Sequence, residues 1–282
     1  MTRRILVVVN PYRADAAHAG ELVTRALEAE GISVCTSFDQ QQDDPIEAAV
    51  VLGGDGTILH AAAMTHGTQT PLLGINLGHV GFLAELERED VTAAIQRLVA
   101  GDYETEERGT LEITVKRPGG AIETGWALNE ATVERASRRR TVELAVEVDG
   151  RPVSTFGCDG VVVSTATGST AHAFSAGGPI LWPDVDALLF VPLAAHALFA
   201  RPLVVGPRSW FALEVTERSD SEAQVVLDGS RSIDVPRGGR VEIRRGQHAV
   251  KLARMSDAPF TERLVKKFSL PINGWRGPVQ DG

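Results

Sequence analysis

The chain has 282 residues, of which 43% are hydrophobic and 23% charged, with a formal net charge of −9. That size and balance fit a soluble globular protein of one large domain or two ordinary ones. The acidic balance argues against a general nucleic-acid partner, and two cysteines, Cys35 and Cys158, are too few for a disulfide framework and fit a reducing cytoplasm.

Met1-Thr-Arg-Arg leads into Ile5–Val9, an apolar run too short for a secretory signal and suited to a buried first strand. Asn10-Pro11 turns the chain, and apolar residues at helical spacing predict a helix over Ala14–Glu30, closed by Gly31. Ile32–Thr36 is expected as a second strand, and Gln40–Pro45 as a polar loop. Ala48–Leu52 is a short apolar run with the character of a buried strand. It delivers Gly53-Gly54-Asp55-Gly56-Thr57, and Ile58–Met64 follows with helical character. Pro71–Leu77 reads as a further strand, Gly78–Leu83 as a glycine-punctuated turn, and Asp90–Ala100 as a helix closed by Gly101. Alternating strands and helices predict a parallel sheet.

The pattern changes near Asp102. Tyr103–Lys116, Glu123–Glu134, Val142–Asp149, Val161–Thr165, Pro202–Val205, Trp210–Glu217, Gln224–Leu227 and Arg240–Arg244 read as strands. The longest apolar stretch, Ala187–Ala200, is shorter than the roughly 20 residues of a bilayer span and is expected as buried core, so no membrane partner is expected. Thr261–Phe268 is expected as a short helix. The expected architecture is an α/β domain with a parallel sheet over 1–101, then a mostly β, sandwich-like domain over 102–245. A segment over 246–282 is expected to pack back on the first domain, with a Gly- and Pro-rich tail.

Three stretches can carry chemistry. Asp55 lies on a strand-to-helix turn, where α/β folds place ligands, and the helix beyond offers unpaired N–H groups suited to phosphate. The alternative is a solvated turn acid. The second stretch is Leu128–Glu134, where Asn129 and Glu130 are adjacent inside a strand-like run. Neighbours on a strand face opposite sides, so one should point inward or to a cleft, where the pair could grip a ribose or an amide; the alternative is an edge-strand surface pair. The third runs from Asp159 to Pro179: a strand delivers Thr167, Gly168, Ser169 and Thr170 to an expected helix over Thr170–Ala176. Its hydroxyls and N–H groups suit phosphate or an ordinary helix cap. Walker, dinucleotide, His-Glu-x-x-His, Cys-x-x-Cys and Gly-x-Ser-x-Gly signatures are all missing. Arg138-Arg139-Arg140 is expected in a turn, either solvated or meeting an anionic ligand.

Together these stretches resemble the NAD kinase family, which has a Gly-Gly-Asp-Gly-Thr turn, an Asn-Glu pair and an Asp-Gly…Ser-Thr-x-Thr-Gly-Ser-Thr-Ala segment in this order. Gly74–Leu83 is similar to the family's glycine-rich segment, and the likeness runs from Ile5 to about Phe268. The resemblance implies phosphoryl transfer from ATP, or polyphosphate in some members, to the 2′-hydroxyl of the NAD adenosine ribose. It implies Asp55 as proton acceptor, with Gly56 and His60 lining the NAD site. Asn129 and Glu130 would hold NAD. Arg140, Asp159 and Ser230 fall at contact positions. Thr170, Ala171, His172, Ala173, Phe174 and Ser175 would wrap the ligand. Gly53, Gly54, Thr57, Thr167, Gly168 and Ser169 are expected on the phosphate side. A divalent cation, Mg²⁺, would arrive with the nucleotide. The resemblance also implies a homodimer or homotetramer. Ala166 stands where Pro is usual and His172 where Tyr is usual; the latter keeps an aromatic ring but adds a titratable group. Other readings are a lipid kinase of the same superfamily and a non-catalytic NAD sensor.

Overall fold

The computed structural model describes residues 3–39, 44–78, 81–84, 86–87, 91–256 and 258–272. Part of the Gln40–Pro45 loop, His79 and Val80 of the glycine-punctuated turn, the first position of the Asp90–Ala100 helix and most of the Gly- and Pro-rich tail lie outside the described residues.

The chain divides into two compact units, 1–107 with 250–282, and 108–249. The first unit opens with β1 (Arg4–Val9), α1 (Ala14–Ala29) and β2 (Ser33–Cys35). Gly31, at φ +74°, ends α1 in the left-handed conformation that glycine adopts freely. There follow β3 (Ala48–Leu52), α2 (Asp55–Thr65), β4 (Leu72–Asn76), β5 (Leu86–Glu87), α3 (Val91–Ala100) and β6 (Glu104–Arg108). The sheet runs β2-β1-β3-β4, with β5 beside β4, and β1 to β5 pair in parallel. Every residue of β3 and of β4 is buried, as expected of strands covered on both faces. The core joins Ile5, Val7, Leu52, Leu73 and Ile75 of the sheet to Val23 and Leu27 of α1 and to Ile95 and Leu98 of α3.

The second unit carries β7 (Leu111–Lys116), β8 (Ile122–Ala127), β9 (Glu130–Arg135), β10 (Val142–Val148), β11 (Arg151–Cys158) and β12 (Gly160–Ser164). A 3-10 turn over Thr167–Thr170 leads to α4 (His172–Ser175). Next come β13 (Leu188–Leu193), β14 (Leu203–Val205), β15 (Phe211–Val215), β16 (Ala223–Leu227), β17 (Arg231–Val235) and β18 (Arg240–Arg245). Two six-stranded antiparallel sheets form, ordered β11-β10-β15-β18-β7-β8 and β14-β13-β12-β9-β16-β17. Alternating residues of β7, β10 and β16 are buried, so the sheets press Ile113, Leu144 and Leu213 against Val133, Val163 and Val225. Phe190 and Phe211 stack at 5.2 Å between centroids. Strand β12 is buried on both faces, because Val162, with Leu189 and Val191 of β13, packs against Ala173 of α4. The chain then returns to the first sheet as β19 (Val250–Arg254), parallel to β4, and ends its described course with α5 (Phe260–Phe268).

Several sequence expectations need correction. Tyr103–Lys116 is two strands, β6 in the first unit's sheet and β7 in the second's, divided at Gly109-Thr110. Glu123–Glu134 is likewise β8 and β9, in different sheets, with a bend at Leu128-Asn129. Asn129 therefore does not sit on a strand. Helix Thr170–Ala176 is instead the 3-10 turn and the single turn of α4, broken at Ala171. Ala187–Ala200 is core only in its first half: Leu188–Val191 is buried, whereas Leu198 and Phe199 are exposed. Strands β5, β11, β13, β17 and β19 were not foreseen as strands.

Candidate active site

In the first unit, Gly54 is extended (φ −89°, ψ −171°) and acts as the N-cap residue of α2, so Asp55 is the helix's first residue. A carboxylate there is favoured by the helix N-terminal dipole. Its side chain also reaches a separate segment: Oδ2 accepts the N–H of Phe82 and Oδ1 the N–H of Leu83, both at 3.0 Å. The approach requires Gly81, because a Cβ built there would lie 2.3 Å from Asp55 Oδ1. A carboxylate has about four lone-pair sites, so among the described residues these two bonds leave room for an incoming hydroxyl. Asp55 is half-buried and His60 exposed. Among the described residues, apart from chain neighbours and the helix's own backbone, no atom lies within 4 Å of a Cβ built on Gly54 or Gly56. Neither glycine is demanded by packing there, and the space above each is open to a ligand. Thr57 is buried, with its N–H donated to Gly54 O at 2.9 Å.

In the second unit, the bend between β8 and β9 puts three backbone N–H groups in the interior, and Asp228 takes all three. Its carboxylate accepts from Leu128 at 2.9 Å, Asn129 at 2.7 Å and Glu130 at 3.3 Å. Asp228 begins the β16–β17 hairpin turn at φ +48° and is held by Arg231 at 2.9 Å, whose guanidinium lies 4.6 Å from the centroid of the Trp126 ring. Sequence reading missed Asp228; its only signal was the Asp-Gly turn. Ser230, singled out instead, is exposed on that turn.

Asn129 and Glu130 are both buried, which overturns the surface-pair alternative. Glu130 Oε2 has no hydrogen-bond partner among the described residues. Burial, and next the neighbouring Asp228 charge, push the Glu130 carboxyl up to about 8, opposed by the backbone N–H of His172. Burial also raises Asp228 above the usual carboxylate range. A neutral Glu130 gains an O–H donor, so its hydrogen-bonding character changes with pH.

The third stretch is bound tightly to the second. Asn129 O accepts the Thr165 N–H at 2.9 Å, and Thr165 Oγ1 donates to Leu128 O at 2.7 Å. A Cβ on Gly168 would lie 2.1 Å from Asn129 O, so only glycine fits. Ser169 is fully buried, donating to Ala166 O at 2.6 Å and accepting from Leu181 N–H at 2.9 Å. Its hydroxyl thus serves the framework rather than a phosphate. Ala173 is likewise enclosed, so its side chain meets the sheet and not a ligand. Thr167 is buried and its Oγ1 accepts from Arg108 at 3.4 Å, while Thr170 donates to Thr167 O at 3.3 Å. His172, Phe174 and Ser175 are exposed, Ala171 and Thr170 partly so, and His172 Nδ1 lies 3.4 Å from Thr132 Oγ1. Asp159 is half-exposed and pairs with Arg135 at 3.0 Å. Arg140 is exposed in the turn after β9, donating to Asp220 O at 3.4 Å.

Among the described residues no three His, Cys, Asp or Glu side chains gather as a metal set. No helix among them is long and apolar enough to cross a membrane.

Comparison with known proteins gives consistent matches. Residues 35–103 match the ATP-NAD kinase N-terminal domain and residues 128–255 the ATP-NAD kinase C-terminal domain. The NAD kinase of Leifsonia xyli subsp. xyli is 52% identical over 296 residues, covering 98% of this chain and 97% of that protein. The NAD kinase of Corynebacterium diphtheriae is 49% identical, covering 98% and 94%. Among solved structures, an NAD kinase from Archaeoglobus fulgidus in complex with ATP aligns with a TM-score of 0.75 at 25% identity, over 96% of this chain and all 100% of that one. Yeast NADH kinase complexed with NADH shares the fold at a TM-score of 0.86 and 21% identity, over 96% and 88%.

Proposed function

Because the chain belongs to the NAD kinase family, we propose that it phosphorylates the 2′-hydroxyl of the NAD adenosine ribose, with Asp55 as proton acceptor. A ribose hydroxyl is a poor nucleophile, and a fixed carboxylate can orient it and take its proton. The hydroxyl oxygen then bonds to the terminal phosphorus of ATP, the bond to the leaving phosphate oxygen breaks, and ADP and NADP result. With polyphosphate as donor, the shortened polymer leaves instead. The observation that carries this reading is the Asp55 carboxylate, fixed by the N–H groups of Phe82 and Leu83 yet keeping lone pairs for a hydroxyl.

Asn129 and Glu130 hold NAD, the unpartnered Glu130 Oε2 providing a buried polar atom for a ligand hydroxyl or amide. Asp159, Arg140, Thr170 and the exposed His172, Phe174 and Ser175 add contacts, and Gly56 and His60 line the NAD side of Asp55. Gly53, Gly54, Thr57, Thr167 and Gly168 serve the phosphates. A divalent cation, Mg²⁺, would arrive with the nucleotide, where it would supply charge neutralisation. The protein works as a homodimer or homotetramer in the cytoplasm.

The test is incubation with Mg-ATP and NAD, reading NADP with an NADP-specific dehydrogenase. Steady NADP formation is expected. NAD binding without NADP would leave a sensor, and phosphorylation of a lipid in its place would leave a lipid kinase; either result overturns the proposal.

A further inference from the structure

We propose that α5 positions the Asp55 carboxylate, with Arg263 acting on it through the single peptide unit that joins Phe82 to Leu83. The inference rests on the reading of Asp55 as proton acceptor. That peptide is gripped at both ends. Its N–H, on Leu83, donates to Asp55 Oδ1 at 3.0 Å. Its carbonyl, on Phe82, accepts from Arg263 Nη1 at 3.3 Å. The next carbonyl, on Leu83, accepts from Arg254 Nη1 at 3.3 Å, and Arg254 is buried and paired with Glu106. The Phe82 ring meets Phe260 and Phe268, one at each end of α5, at 5.7 and 5.9 Å between centroids.

Residues 81–84 belong to neither strand nor helix, so no ladder of backbone bonds fixes their N–H groups. The N–H groups of Phe82 and Leu83 are taken by Asp55, and their carbonyls are held by arginines 170 or more residues away. A nine-residue helix with no buried residue does not hold itself together in water, so α5 depends on what it docks against. Its two phenylalanines dock on Phe82, and its arginine docks on the Phe82 carbonyl.

A guanidinium on a carbonyl polarises the peptide and strengthens the hydrogen bond made by its N–H. Arg263 thus strengthens the Leu83 N–H bond that holds the Asp55 side chain in place. A direct ion pair would occupy the lone pairs that an attacking hydroxyl needs; a relay through one peptide leaves them open. Arg263 is therefore a positioning residue, and Phe260 and Phe268 set where it stands.

The experiment is a double-mutant cycle in the full chain, with kcat and KM for NAD measured for wild type, Arg263→Ala, Asp55→Asn and the double variant. Arg263→Ala is expected to lower kcat about 10–100-fold, in the range that misplacement of a reacting group produces, with KM for NAD within about 2-fold of wild type. Arg263→Lys should recover part of the loss. In the Asp55→Asn background, Arg263→Ala should change kcat by less than about 2-fold, as for groups that act as a unit. Arg263→Gln, which keeps an N–H donor without the charge, supplies the same comparison if the alanine variant does not fold. Wild-type kcat in Arg263→Ala, or an equal fractional loss in both backgrounds, overturns the proposal while leaving Asp55 as acceptor. Full turnover in Asp55→Asn alone overturns that reading itself, and the proposal with it.

Discussion

The carboxylate of Asp228 lies 2.7 Å from the backbone nitrogen of Asn129, 99 residues earlier in the chain. It closes the bend through which the chain leaves one sheet and enters the other, and so fixes where Asn129 and Glu130 point. Without it, the N–H groups of Leu128, Asn129 and Glu130 lose their shared acceptor in the interior. Each orphaned donor costs about 1–3 kcal/mol. Asp228→Ala should therefore destabilise the fold by at least about 3 kcal/mol in urea titrations. Asp228→Asn keeps one acceptor oxygen and should lose less, while raising KM for NAD.

Gly56 and Gly81 should respond in opposite ways to the same added methyl. A Cβ at Gly56, inside α2, meets nothing among the described residues. Gly56→Ala should stabilise the fold by about 0.5–1 kcal/mol, the usual gain of alanine over glycine in a helix. It should also raise KM for NAD, because the open space belongs to the ligand. Gly81→Ala drives a Cβ against the Asp55 carboxylate and should lower kcat by about 10²-fold. Thermal melting and steady-state kinetics on both variants check this.

Glu130 makes stability depend on pH. Its carboxyl rises from 4.5 to about 8 on folding, so the folded state binds the extra proton across that window. By linkage, stability is then lost as pH rises from about 4.5 to about 8, and the loss is complete above it. Glu130→Gln removes the titration while keeping the neutral shape. The variant should match wild type near pH 4.5 and be more stable at pH 8, by a margin on the order of 1–4 kcal/mol. Equal pH dependence of the two proteins in urea titrations would show that Glu130 ionises normally.

Association should involve the second unit. Strand β14 is short and lies at a sheet edge, where natural proteins pair or cover exposed backbone. Val204 on that strand and Leu198 and Phe199 before it are exposed apolar side chains. Light scattering should give a dimer or tetramer at micromolar concentration, and Phe199→Glu should shift it towards monomer.

Much of this was legible in the sequence because local pattern and local role coincide there. The buried runs of β3 and β12, the alternation of β7 and β10, and the glycine stop at Gly31 depend on near neighbours only. The sheet change at Leu128-Asn129 was hidden, because no glycine or proline marks it and the flanking residues are strand formers on both sides. Gly125, which does break the run, lies within β8, where a Cβ would meet Leu227 at 2.6 Å. Asp228, Arg254 and Arg263 were missed for a different reason: each acts on backbone about 100 residues or more away. Ser169 and Ala173 carried the right motif, yet the fold uses their side chains for its own packing.

The central claim is that Asp55 accepts the proton from the 2′-hydroxyl while other residues hold NAD. Asp55→Asn preserves shape and removes the base. The direct measurement is single-turnover NADP formation with saturating Mg-ATP and NAD, alongside the NAD dissociation constant by calorimetry. Turnover should fall by roughly 10²–10⁴-fold, the usual contribution of general acid–base catalysis, with the dissociation constant within about 3-fold of wild type. Near-normal turnover in Asp55→Asn, or a loss accounted for entirely by weaker NAD binding, would contradict it.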